Sequence, residues 1–164
     1  MVEGRGFGKE SGPRDWESQK EHPNHPVINV NWHEASAYAA WAGGRLLSKA
    51  EWEWAARGKQ EREYPWGNEQ PDVTRANYYE TAPKQATPVG LYPCGATPEG
   101  VEDMAGNVWE WTESWSDQEQ KRKVLRGVSW NYSTSNLRAS NRSDFEPVVR
   151  RLSFGFRVAL EVFS

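Results

Sequence analysis

The sequence predicts an α+β domain with two short helices, small twisted antiparallel sheets and a large share of loop. Three observations carry that prediction. Two stretches, Asn31 to Gly43 and Ser48 to Gly58, open with a capping box and close on glycine, and each is the length of one short helix. From Tyr64 onward, brief apolar runs alternate with Gly, Pro and Asn turns, and no helical period persists. Ten tryptophans in 164 residues give a loop-rich chain enough large side chains for a single core.

Taken in order, residues 1–25 are polar and rich in Gly, Pro, Glu and Lys, which predicts an N-terminal arm or loop docked through Trp16. His22 and His25 have a spacing that invites a metal. Pro23 and Pro26 surround them and no further His or Cys is near, so a surface loop is the better reading. Pro26-Val27-Ile28-Asn29-Val30 reads as a short strand entry. Asn31, with Glu34 three residues on, caps a helix to about Ala42 whose buried face is Ala35, Tyr38, Ala39 and Ala42. His33 falls in its first turn, at the surface or the core edge.

Ser48 and Glu51 form the second capping box, with Leu47 placed to staple onto Trp52. Glu51 and Glu53 could be a pair of catalytic carboxylates on paper. The better expectation is that Glu51 caps while Glu53 pairs with Arg45 or Arg57. Tyr64-Pro65-Trp66-Gly67 is a tight aromatic turn in a turn-rich region reaching Pro98, and Cys94 sits in one of its loops.

The stretch Gly100 to Thr112 organises the rest. Val108, Trp109 and Trp111 favour a half-buried strand, and Glu110 between the two tryptophans needs a partner. Val124 to Trp130 is the next strand. Phe154 to Leu160 alternates as a core strand whose one charge, Arg157, pairs with a buried acid.

Composition limits the function classes. A net charge of −3 without a basic run argues against nucleic acid as partner. No membrane-spanning run or signal-peptide core is present, so no membrane insertion is expected. The single cysteine, Cys94, allows no intramolecular disulfide. That fits a cytoplasmic protein if the chain is complete, and a surface or secreted one if it is a fragment. Neither a Ser-His-Asp constellation nor a phosphate loop is found.

Gly106-Asn107-Val108-Trp109-Glu110-Trp111, Pro65-Trp66-Gly67-Asn68 upstream and Gly155-Phe156-Arg157 downstream resemble the formylglycine-generating enzyme, or sulfatase-modifying-factor, domain. The resemblance runs from about Pro26 to Leu160 and implies a variant of the C-type lectin fold. It divides the chain into an arm, 1–25, and a domain, 26–164. The family domain usually begins with a longer segment, so the last strand is expected to show an open edge through which copies could associate.

Catalytic members of the family bind copper(I) through two cysteines after an Arg-Gly-Gly-Ser motif. Aligned on Arg126-Gly127-Val128-Ser129, those positions hold Tyr132 and Leu137, which cannot ligate it. The resemblance therefore implies no copper, no organic cofactor, no catalytic residue and no enzyme. A second branch, the ergothioneine-type sulfoxide synthases, joins this domain to a helical one with iron-binding histidines, and no such domain is expected in these 164 residues. A calcium site is implied at Asp103, the Gly106 and Val108 carbonyls, and Glu110. The alternative is that Glu110 bonds Arg157 or backbone amides while Asp103 caps the turn, and both stay open. At the family's other calcium site Asn77 and Tyr78 match, but the completing acidic loop is absent.

Asn131 to Ser153 stands apart. It holds no Lys, Gln, Met or Trp, and Glu146 is its one Glu. The residues present, Glu146 aside, are reachable from Asn codons by changing adenines alone. With the frame Arg126-Gly127-x-Ser129-Trp130, Arg138, Asn141-Arg142, Pro147, Arg150 and Gly155-Phe156-Arg157, the chain resembles the variable proteins of diversity-generating retroelements. That implies a non-enzymatic binding protein with a variable region at 128–154 and a protein ligand. The implied ligand-binding positions are Val128, Tyr132, Ser133, Ser135, Asn136, Leu137, Ser143, Asp144, Phe145, Val149, Arg151, Leu152 and Ser153. Such a mixture of Tyr, Ser, Asn and Arg suits a paratope. The alternative is a family member without the copper site, inactive or of unknown oxidase-type activity.

Overall fold

The computed structural model describes residues 12–81 and 83–160. Three helices come first: α1 (Trp16–Gln19), α2 (Trp32–Trp41) and, after strand β1 (Gly44–Leu46), α3 (Lys49–Arg57). A long run of turns leads to β2 (Trp109–Trp115), β3 (Lys123–Arg126), β4 (Arg142–Phe145), β5 (Phe154–Phe156) and β6 (Val158–Leu160).

Both capping boxes form. Asn31 and Ser48 accept the Glu34 and Glu51 amides at 3.0 and 3.2 Å, and each glutamate returns a bond to its cap amide. Gly43 and Gly58 follow with φ of 79° and 59°, a region where a Cβ is penalised. The buried face of α2 is narrower than its sequence predicts. Ala35 and Ala39 are fully buried, whereas Tyr38 and Ala42 are exposed. Small side chains let this helix lie close over the core, and the bulky Tyr38 is left outside.

Four strands form one sheet in the order β4-β3-β2-β5, with β2 antiparallel to β3 and parallel to β5. β1 and β6 form a separate antiparallel pair. The expected single strand from Phe154 to Leu160 is therefore two strands in two sheets, and the chain changes sheet at Arg157. The side chain of Arg157 turns in to Glu110, and Gly155 passes so close to Val27 that an added Cβ would lie 2.9 Å from its carbonyl oxygen. β6 takes β1 as its partner rather than residues 12–25; residues 1–11, the rest of the arm, lie outside the described residues.

The arm differs from its prediction as well. It contains the short α1, and its anchor is Gln19, whose side-chain amide exchanges two 3.0 Å bonds with the Ile28 backbone. Trp16 is 42% exposed. At the centre of the core, Trp111 packs edge-on against Phe154 and donates to the Val30 carbonyl at 3.1 Å. Lys123 lies with its ammonium 4.0 and 3.8 Å from the ring centres of Trp32 and Trp115. Burial holds its amine below the ordinary lysine range.

Candidate functional site

Glu110 sits on β2 with its side chain facing α3. Its carboxylate is 5% exposed and receives the Trp52 indole N–H at 2.6 Å and the Arg157 guanidinium in bidentate fashion at 2.6 and 2.7 Å. The same guanidinium donates to the carbonyls of Glu102 and Asp103. Burial opposes the charge on Arg157, yet Glu110 outweighs it and holds the group protonated above its ordinary range.

Asp103 takes one backbone bond, from Gly90 at 2.7 Å, and burial pushes its carboxyl above the usual carboxylate range. Of the two arrangements left open by the sequence, Glu110 adopts the one with Arg157. A calcium ion drawing on Glu110 would have to share its carboxylate with the Arg157 guanidinium. Among the described residues, no three His, Cys, Asp or Glu side chains converge as a metal site.

Glu53 pairs with Arg57 at 2.8 Å and also reaches the buried Arg126 at 2.7 Å. Glu51 pairs with Arg45, and that guanidinium, with the Ser48 cap, lowers its pKa to about 2. Both acids thus brace the scaffold.

The implied ligand positions, Val128 and those between Asn131 and Ser153, divide into three parts. Val128, Leu137 and Ser153 are buried at 1%, 1% and 8% exposure, so these three implied ligand positions belong to the interior. Val128 also has φ of 65°, a left-handed conformation that a β-branched residue adopts at a cost.

Tyr132, Ser133, Ser135 and Asn136 form a loop patch. Tyr132 is 37% exposed, stands edge-on to Trp109 with ring centres 5.6 Å apart, and accepts the Tyr79 amide through its carbonyl at 2.9 Å. Asn136 donates to the hydroxyls of Ser133 and Ser135 at 3.2 and 3.3 Å. The third part follows the β4 edge. Asp144 pairs with Arg122, Phe145 and Val149 pack half-buried on the core, and Arg151 lies 4.9 Å over the Phe145 ring. Leu152 is 58% exposed and lines a pocket with His22 and His25.

Sequence reasoning missed two polar atoms beside the loop patch. Among the described residues, the Trp130 indole N–H and the Asn77 Oδ1 are both buried without a partner. Both residues are tied to Asn107, through the Trp130 amide at 3.1 Å and the Asn77 side-chain amide at 3.2 Å. A buried orphan donor is rare and marks a place where a ligand or water group is wanted. No sequence signal could show it, because it depends on which neighbours are absent.

Comparison with known proteins places these features. The Sulfatase-modifying factor enzyme 1-like domain matches residues 3–162. Hercynine oxygenase of Mycolicibacterium thermoresistibile is 39% identical over 165 residues, covering 85% of this chain and 37% of that protein. Serine/threonine-protein kinase pkn1 of Chlamydia caviae is 39% identical, covering 82% and 24%. Inactive C-alpha-formylglycine-generating enzyme 2 of Bos taurus is 37% identical, covering 82% and 50%. The chain thus spans half or less of each of these relatives.

Among solved structures, PvdO from Pseudomonas aeruginosa superposes with a TM-score of 0.74 at 30% identity, covering 85% of this chain and 63% of that one. Treponema denticola variable protein 1 superposes at 0.72 and 24% identity, covering 82% and 70%. The latter supports the fold, α+β and C-type lectin-like, and nothing beyond it. The oxygenases overturn the expectation that this chain is not an enzyme. Losing the copper cysteines excludes one chemistry, and relatives at this identity are oxygenases all the same.

Proposed function

The chain belongs to the sulfatase-modifying factor enzyme 1-like family, and from that premise we propose that it is the ligand-binding domain of an oxygenase-type enzyme. Its substrate rests on the patch formed by Tyr132, Ser133, Ser135 and Asn136. The observation that carries this reading is a braced, part-exposed aromatic ring beside hydroxyl and amide groups. Tyr132 is held edge-on by Trp109 and is 37% exposed, and Ser133, Ser135 and Asn136 follow it in the same loop.

Hercynine, the substrate in the name of the 39%-identical relatives, is a betaine of histidine. Its quaternary ammonium suits the face of a tyrosine ring, and its carboxylate suits the serine hydroxyls and the Asn136 amide. A metal held by a partner domain would supply the redox chemistry; this chain binds and orients the substrate. Titrating hercynine into the protein while recording amide NMR spectra tests the reading. Shifts centred on residues 130–136, weakened about tenfold by Tyr132→Ala, are expected, equivalent to ~1.4 kcal/mol. Absence of shifts there at millimolar hercynine would sink it.

A second reading rests on the Asn131–Ser153 composition: a diversified surface that binds a protein. Its mark is genetic. A near-copy of the codons for residues 128–157, differing at adenines and lying beside a reverse transcriptase, would establish it. A complete locus without such a copy would remove it.

A further inference from the structure

Two short 3-10 turns meet at the loop patch. Tyr79–Thr81 comes from the turn-rich region, and Thr134–Asn136 is part of the patch itself. Three bonds fasten them together. The Tyr79 amide donates to the Tyr132 carbonyl at 2.9 Å, and the Thr134 amide donates to Glu80 Oε1 at 3.3 Å. The third joins the Tyr78 hydroxyl to the Thr134 side chain. Thr134 stands between Ser133 and Ser135, so the Glu80 carboxylate is held against the patch.

That carboxylate is not neutralised locally. Its hydrogen bond comes from an uncharged amide, and among the described residues no cation pairs with it. Two neighbouring acids differ in this respect: Asp72 is paired with Arg75, and Glu63 with Arg138. Lys84, four residues on, is engaged elsewhere. Its ammonium lies 3.5 Å from the ring centre of Tyr79 and donates to the Tyr79 carbonyl. Burial first, and then Glu80 and Asp72, push the Tyr78 hydroxyl above its ordinary range, as a negative field at this point would.

We propose, on the premise that the loop patch holds the substrate, that Glu80 determines its specificity. The Glu80 carboxylate and the Tyr132 ring together favour a substrate with a fixed positive charge over the same molecule without it. A quaternary ammonium has no N–H to donate, so charge and contact alone can recognise it. The ring supplies the contact and the unpaired carboxylate supplies the charge. The same carboxylate repels an anion, so the discrimination has an attractive and a repulsive side.

The probes are hercynine and 3-(imidazol-4-yl)propionate, which keeps the ring and the carboxylate but lacks the ammonium. Both are titrated into the parent and Glu80→Gln and followed by amide NMR. Glutamine keeps an oxygen for the Thr134 amide and removes the charge. The preference for hercynine should fall about fourfold in the variant, which is what one unit charge ~5 Å away gives in water. Imidazolepropionate should bind the variant more tightly than the parent, a change of sign that a merely structural role of Glu80 would not produce. The parent's preference should also shrink at ~1 M salt, where the Debye length is ~3 Å. Equal weakening of both ligands, an unchanged preference, or a preference indifferent to salt would overturn the role of Glu80 and leave the patch as the binding site. Hercynine that fails to shift residues 130–136 of the parent would instead remove the premise, and this role of Glu80 with it.

Discussion

Around Glu110 the polar atoms are tied to distant parts of the chain. Trp52 reaches it across 58 residues of sequence and Arg157 across 47. Around Ser133 the side-chain bonds are local, with Ser133, Ser135 and Asn136 bonding one another within three residues, while the loop's backbone reaches Tyr79 and Glu80. The first region is a clasp that fastens α3, β2 and the turn after β5. The second is a loop whose side chains are answerable mainly to themselves. A scaffold of this kind can change its loop chemistry without unfastening its core, which is how one fold serves unrelated functions. The segment does not split cleanly by sequence, however, because Leu137 lies one residue beyond the patch and is buried.

The comparison can be broken most forcefully at the clasp. Arg157→Met should cost ~3 kcal/mol in urea unfolding, because it strands a buried carboxylate. Adding Glu110→Leu should recover most of that loss, and a double variant as unstable as the single one would show that the pair is not the fastening. Leu137→Ala comes next, at ~2–4 kcal/mol, since it opens a cavity in the core. A loss under ~0.5 kcal/mol would return Leu137 to the tolerant loop.

In contrast, Ser135→Ala with Asn136→Ala should change stability by no more than ~0.5 kcal/mol. A larger loss would mean that the patch is knit into the scaffold. The smallest effect concerns the arm. His25 is held below its ordinary value of 6.5, first by burial and then by His22. A histidine of lowered folded pKa binds its proton more tightly when unfolded, so its contribution is full above pH 6.5 and is lost as pH falls below it. His25→Gln should therefore lose less Tm between pH 7 and pH 5 than the parent, by on the order of 1–2 °C. An unaltered slope would place the acid sensitivity elsewhere.

Local chemistry made much of the fold legible. Both capping boxes, the glycine stops, the β2 strand and the need of Arg157 for a buried acid are written in short windows. The approach of Leu47 to Trp52 is likewise set by neighbours in sequence, and the two share a packed cluster. The errors share one cause. Tyr38 on the helix face, Trp16 as anchor and Phe154–Leu160 as one strand each required knowing what lay across the fold. The site was less legible than the fold. The polar loop was visible, but the burial of Val128, Leu137 and Ser153 was not, nor were the orphan atoms of Trp130 and Asn77. The catalytic inference failed for another reason: two missing cysteines exclude a reaction and do not exclude catalysis.

By itself the sequence determined the fold class, the two helices with their caps, the strand built on Trp109-Glu110-Trp111 and the family. These follow from hydrogen bonds and periodicities that act within about ten residues. The tertiary structure decided which cation faces Glu110, where the last strand changes sheet, and which residues between Asn131 and Ser153 reach solvent. It also set Glu80 against the loop patch. Each of these depends on packing between residues far apart in the chain. A side chain's burial and its electrostatic partner are properties of the surfaces that meet there, and no local window contains them.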